Sequence, residues 1–143
     1  MATDKASLEA AFWYAVKLFS EDNFTPANFI SGLQNLLAPK VKMKRLDDPG
    51  YYDEEKVTKR GVGEVTDYFL YGNANSDKSI FTPDNTAPNQ PEFQIVGSTG
   101  FISGTGTFTD PTGDRRIVYS FTLSSESGDW KAIFLWGKDK NDI

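Results

Sequence analysis

The sequence predicts an α+β cone, in which three N-terminal helices pack on a strongly curved, mostly antiparallel sheet. Two observations carry that expectation. Three segments of helical periodicity come first, and Phe101 to Gly137 then reads as a three-strand antiparallel meander. Ala132 to Trp136 is apolar without a break, the pattern of a strand buried on both faces. Helices ahead of a curled sheet leave a pocket between the two layers.

The first helix starts at a cap on Thr3 or Asp4 and runs to Phe19, with Leu8, Ala11, Phe12, Ala15 and Phe19 on one stripe. Thr25 followed by Pro26 opens the second, a capping hydroxyl and a proline at the first helical position. Its apolar face is Phe29, Ile30, Leu33, Leu36 and Leu37, and Ala38-Pro39 ends it. Val41 to Leu46 alternates apolar and basic residues as a half-exposed strand does, before the turn Asp47-Asp48-Pro49-Gly50. Asp53 is expected to cap a third helix with the stripe Val57, Gly61, Val65 and Phe69, closed by Gly72. Gly61 and Gly63 inside it imply a close backbone contact or a bend.

Asn73 to Pro91 turns to Asn, Ser, Thr, Asp and Pro, a loop long enough to be a lid at the cavity mouth and the most mobile internal segment. The plain alternative is an ordered surface loop. Ile80 and Phe81 anchor it or form a short edge strand. Strands follow at Phe93 to Val96, Phe101 to Phe108, Ile117 to Leu123 and Trp130 to Trp136, with Gly104 and Gly106 marking a bend or bulge.

The 143 residues amount to one domain, residues 1–143, and a formal charge of −5 makes nucleic acid a poor partner. There is no Cys and no His, which removes thiolate nucleophiles, Ser–His pairs and the commonest transition-metal ligand. Acid–base chemistry would fall to Asp, Glu, Tyr or Lys. With no phosphate-cradling glycine loop and no calcium-loop spacing, no cofactor or metal is expected. No apolar run reaches the length of a membrane span or a signal peptide, so membrane association is not expected and the cytoplasm is the expected location.

The order helix, helix, strand, helix and long antiparallel sheet, with the ending Ser127-Gly128-Asp129-Trp130-Lys131-Ala132-Ile133, resembles the nuclear transport factor 2-like superfamily. That superfamily is the cone shared by ketosteroid isomerases and polyketide cyclases. The isomerase pattern carries over at three places. Tyr14 stands in the first helix ahead of Glu21-Asp22, Asp48 precedes Pro49 after the first strand, and Tyr119 occupies a position that is an acid in that family. The resemblance implies Asp48 as a general base with Tyr14 and Tyr119 as hydrogen-bond donors to a carbonyl oxygen. The plain readings are a turn aspartate, a helix-flank tyrosine and a core tyrosine. Strand parity leaves either Asp47 or Asp48 as the inward carboxylate.

Aromatics make up 14% of the chain, enough to line an apolar pocket, and Trp13, Phe81, Phe101, Phe134 and Trp136 are its candidate wall. The favoured function is non-catalytic: binding of a small apolar ligand, or dimerisation. The alternative is an isomerase-like or cyclase-like enzyme moving a proton beside a carbonyl. A last strand apolar on both sides, with one helix layer to cover it, predicts a homodimer through the open sheet face.

Overall fold

Each helix begins where a side chain can take up backbone donors that the helix itself leaves unpaired. In α1 (Lys5–Leu18) the Asp4 carboxylate accepts from the Ser7 amide at 2.9 Å. In α2 (Pro26–Leu36) the Thr25 hydroxyl oxygen accepts from the Asn28 amide at 3.2 Å, with Pro26 in the first turn. The computed structural model describes residues 4–20, 25–44, 58–70, 78–110 and 113–139. Among these, the remaining elements are β1 (Leu37–Lys44), β2 (Thr58–Arg60), α3 (Gly61–Phe69), β3 (Ile80–Pro83), β4 (Glu92–Val96), β5 (Thr99–Asp110), β6 (Gly113–Ser124) and β7 (Lys131–Asp139).

The strands form one mixed, curved sheet in the order β2-β1-β7-β6-β5-β3, and β4 also pairs with β5. Only β1 and β7 run parallel; every other pairing described is antiparallel. The three helices lie against one face of this sheet, so the α+β cone is the observed fold. The predicted helix stripes are the ones that pack. Leu8, Phe12 and Phe19 of the first, Phe29 and Leu33 of the second, and Val65 and Phe69 of the third are buried in one apolar core.

Two boundaries differ from the sequence expectation, and at a third the edge-strand alternative is the one observed. Thr58 to Arg60 is strand rather than helix, and α3 begins only at Gly61, whose φ of 81° stops the right-handed helix from extending further back along the chain. Glu64 accepts from the Arg60 amide at 3.1 Å and so fixes that start. Asp53 and Val57 lie outside the described residues. Ala38 and Pro39 do not close α2 with a loop: Leu37 is already extended (φ −98°, ψ 136°) and the chain passes straight into β1. Proline has no amide to give a ladder, and the β1–β7 register shifts between Leu37 and Lys42. Finally, Ile80 and Phe81 form an edge strand on β5, which gives the segment from Ile80 to Pro83 fixed pairing partners.

Sheet register separates an inner face from an outer one. Ile102, Ile117, Tyr119, Phe121 and Leu135 point toward the helices, while their neighbours Phe101, Val118, Ser120, Phe134 and Trp136 point away. The β5–β6 register is unbroken from Thr99 to Asp110, so Gly104 and Gly106 mark no bulge. Both sit on the inner face, where they leave room for bulky neighbours. The irregularity falls on β7 instead, where Ile133 is the extra residue between Thr122↔Phe134 and Leu123↔Ala132. β7 is therefore not buried on both faces in the single chain. Ile133 is 37% exposed, and Phe134 and Trp136 are half-buried. No helix among the described residues is long and apolar enough to cross a membrane.

Candidate functional site

Small side chains on α1 and β7 open a space that large ones would fill. Ala11 and Ala15 face the sheet between Phe12 and Phe19, and Ala132 faces them from β7. The result is a cavity of about 100 Å³. α2 and β1 close it with Leu33, Leu36, Leu37 and Met43, and the sheet with Phe81, Ile117, Phe121 and Leu135 among others. Every described side chain lining it is apolar.

Of the described residues singled out from sequence as site candidates, Phe81 alone lines this cavity. Tyr14 lies on the outward face of α1, 49% exposed. Trp13 is also exposed, with its ring edge-on to Phe12 at 5.0 Å. Phe101, Phe134 and Trp136 face outward on the far side of the sheet, because each occupies the register opposite to Ile102 and Leu135. Asp47 and Asp48 lie outside the described residues. Strand parity puts Phe101, Phe134 and Trp136 on the face opposite to the one that Phe81 lines: adjacent residues on a strand take opposite faces. Most of the true lining comes from residues whose periodicity marked them only as core. The small residues Ala11, Ala15 and Ala132 on otherwise bulky faces were the readable sign of a void.

Tyr119 is buried at 1% exposure on the inner face, as its alternation predicts. Its ring stacks on Phe121 at 4.8 Å and meets Phe81 edge-on at 5.1 Å. The hydroxyl is turned onto Gly104 rather than into the cavity: a Cβ there would stand 2.6 Å from the oxygen. It has no hydrogen-bond partner among the described residues. Burial, and secondarily the negative charge of Asp84, push its ionisation above the usual tyrosine range. The structure thus does not bring Tyr14 and Tyr119 together at one cavity.

Asp84 anchors a polar cluster at the rim of the sheet. It accepts from the Thr105 hydroxyl at 2.6 Å and from both terminal nitrogens of Arg116, whose Nη1 also donates to Thr107 at 2.9 Å. That hydrogen bond to Asp84 raises the Arg116 pKa. Lys78, buried beside the ring of Phe29, donates to the Ser20 carbonyl just past the end of α1. A cation there complements the helix C-terminus. Among the described residues no group of three acidic side chains stands close enough to hold a metal ion.

This is the nuclear transport factor 2-like, cystatin-like fold. The chain is similar to a candidate dehydratase of the nuclear transport factor 2-like family from Streptomyces avermitilis, at 15% identity and TM-score 0.66, covering 96% of each chain. It is similar to the CaMKII hub of S. rosetta, at 14% identity and TM-score 0.64, covering 97% of this chain and 98% of that one. A protein of unknown function with a cystatin-like fold from Nostoc punctiforme matches at 10% identity and TM-score 0.63, over 100% of this chain and 96% of that one. No family model matches the sequence, and no curated protein does.

Proposed function

We propose that this chain is a non-catalytic domain that binds a small apolar molecule in its inner cavity and self-associates through the outer face of its sheet. The single observation that carries the binding half is the wholly apolar lining among the described residues. A carbonyl or hydroxyl buried there would lose its water without gaining a partner, at a cost of about 1–3 kcal/mol. The fit is to a hydrocarbon ring or short alkyl group, which an apolar cavity of this order of size accepts. The isomerase-like alternative needs donors converging on the cavity, and the outward position of Tyr14 and the Tyr119 hydroxyl against Gly104 support the non-catalytic reading.

The binding half is tested by thermal shift with benzene, toluene, indole and short alkanes. A ligand at a hundredfold excess over Kd stabilises by about 2.7 kcal/mol, a rise of several degrees. No shift with any of them up to the solubility limit sinks it.

The association half rests on Ile133, Phe134 and Trp136, large apolar side chains in partly exposed positions on β7. Two similar structures are named as a hub and as an association domain. Light scattering at micromolar concentration should give the mass of a dimer, and the double change Phe134→Lys with Trp136→Lys should give a monomer. A wild-type chain that is monomeric throughout removes this half.

A further inference from the structure

Two large side chains stand exposed on opposite sides of β4. Trp13, 36% exposed, is on α1 at the inner side; Phe101, 38% exposed, is on the outer face of β5 beside Gln94. Both line one open groove of about 770 Å³, together with Lys5 and Glu9 of α1 and with Glu92 and Gln94 of β4. The sheet itself lies between the two rings. A ligand that touches both must therefore pass over the edge of β4.

That edge is built to receive one. Among the described residues β4 pairs with β5 alone. Val96 and Thr99 close a two-residue turn at Gly97, whose φ is 61°. Hydrogen-bonded pairs then alternate back along the hairpin: Val96 with Thr99, Gln94 with Phe101, Glu92 with Ser103. The backbone N–H and C=O groups of Phe93 and Ile95 are left pointing away from β5, a row of groups with no ladder partner among the described residues that templates another strand.

We propose that β4 is a docking edge for an extended peptide segment of a partner protein, which adds to the sheet as a further strand. Successive side chains of a strand take opposite faces, so two adjacent residues of the segment reach Trp13 and Phe101 at once. A compact solute reaches one side only. The chemistry of the segment follows from the walls. Adjacent apolar residues seat on the two rings. Two positions from the outer one, a Lys or Arg lies across from exposed Glu92, and a basic segment also suits a chain of net charge −5. On the inner side Lys5 and Glu9 present both signs and select against neither.

The test uses the whole chain and acetylated octapeptides with an adjacent pair of apolar residues at the centre and polar residues elsewhere, in one series with lysines at the polar positions and one with glutamates. Amide hydrogen exchange resolved at β4 is the readout. The lysine series should slow exchange at Phe93 and Ile95, and Glu92→Lys should reverse the preference between series. Trp13→Ala should weaken binding by about tenfold or more, the loss of one ring contact and its desolvation. The same peptides N-methylated at alternate residues cannot make the ladder and should not bind. Equal binding by the methylated peptides overturns the proposal, as does unchanged exchange at Phe93 and Ile95 with every peptide at millimolar concentration. A wild-type homodimer that protects those two amides by itself assigns the edge to a second copy, and also overturns it.

Discussion

Tyr119→Phe removes one oxygen from the most buried of the described tyrosines and should make the protein more stable. The hydroxyl is 1% exposed and without a hydrogen-bond partner among the described residues, so the folded state carries its desolvation uncompensated, about 1–3 kcal/mol. The ring contacts with Phe121 and Phe81 survive the change. What is lost is the packing of one atom against Gly104, a few tenths of a kcal/mol. The net gain is about 1 kcal/mol, or roughly 3 °C in Tm for a chain of this size. The pH dependence gives an independent check. Burial raises the folded-state pKa above the unfolded value of about 10. Below that pH the hydroxyl is protonated in both states. As pH rises past it, the unfolded chain gives up the proton and the folded chain keeps it, so stability falls by about 1.4 kcal/mol per pH unit. The variant has no such group, and its advantage over wild type should widen by that slope above pH 10. Urea denaturation of both proteins between pH 7 and 11 measures each quantity. A variant less stable by 1 kcal/mol or more at pH 7, or two alkaline limbs that run parallel, refutes the reasoning.

Gly104→Ala places a Cβ 2.6 Å from the Tyr119 oxygen and 3.0 Å from its Cζ, and should destabilise by about 1–3 kcal/mol in the same denaturation experiment. Combining it with Tyr119→Phe should recover roughly 0.5–1 kcal/mol as coupling, and strict additivity would show that the two groups do not meet. Ala15→Leu projects into the apolar cavity and should raise stability by about 1 kcal/mol while abolishing the thermal shift with benzene or toluene; an unchanged ligand shift would move the binding site elsewhere. Asp4→Ala should lower Tm at pH 7 by removing the α1 cap. The hydrogen bonds from Ser7 hold the Asp4 carboxyl below its usual pKa, so its contribution is present above that range and lost as pH falls through the folded value. The difference between Asp4→Ala and wild type should accordingly close in acid, and a gap that persists at pH 2 counts against the cap.

Much of the architecture was legible because local chemistry and burial pointed the same way. The caps at Asp4 and Thr25, the stripes of α1 and α2, and the alternation from Ile117 to Leu123 each specify an element and its buried face without reference to the rest of the chain. The cone followed from their order. The start of α3 was not legible, since a strand of three residues pairs only because β1 lies beside it, and Gly61 reads alike as a helix interior or a left-handed turn until its φ is known.

The site divides along the same line. Aromatic content allowed for an apolar pocket and the lack of His and Cys narrowed the available chemistry, both properties of composition that folding does not alter. Which aromatics meet was a matter of register. A one-residue change of parity sends Phe101, Phe134 and Trp136 to the outer face and leaves Ile102, Phe121 and Leu135 inside, and that parity is set by hydrogen bonds between strands distant in sequence. Tyr119 shows both halves in one residue. Its alternation alone put the ring in the core, whereas the direction of its hydroxyl was decided by the missing side chain of Gly104, the residue paired across from it on the neighbouring strand.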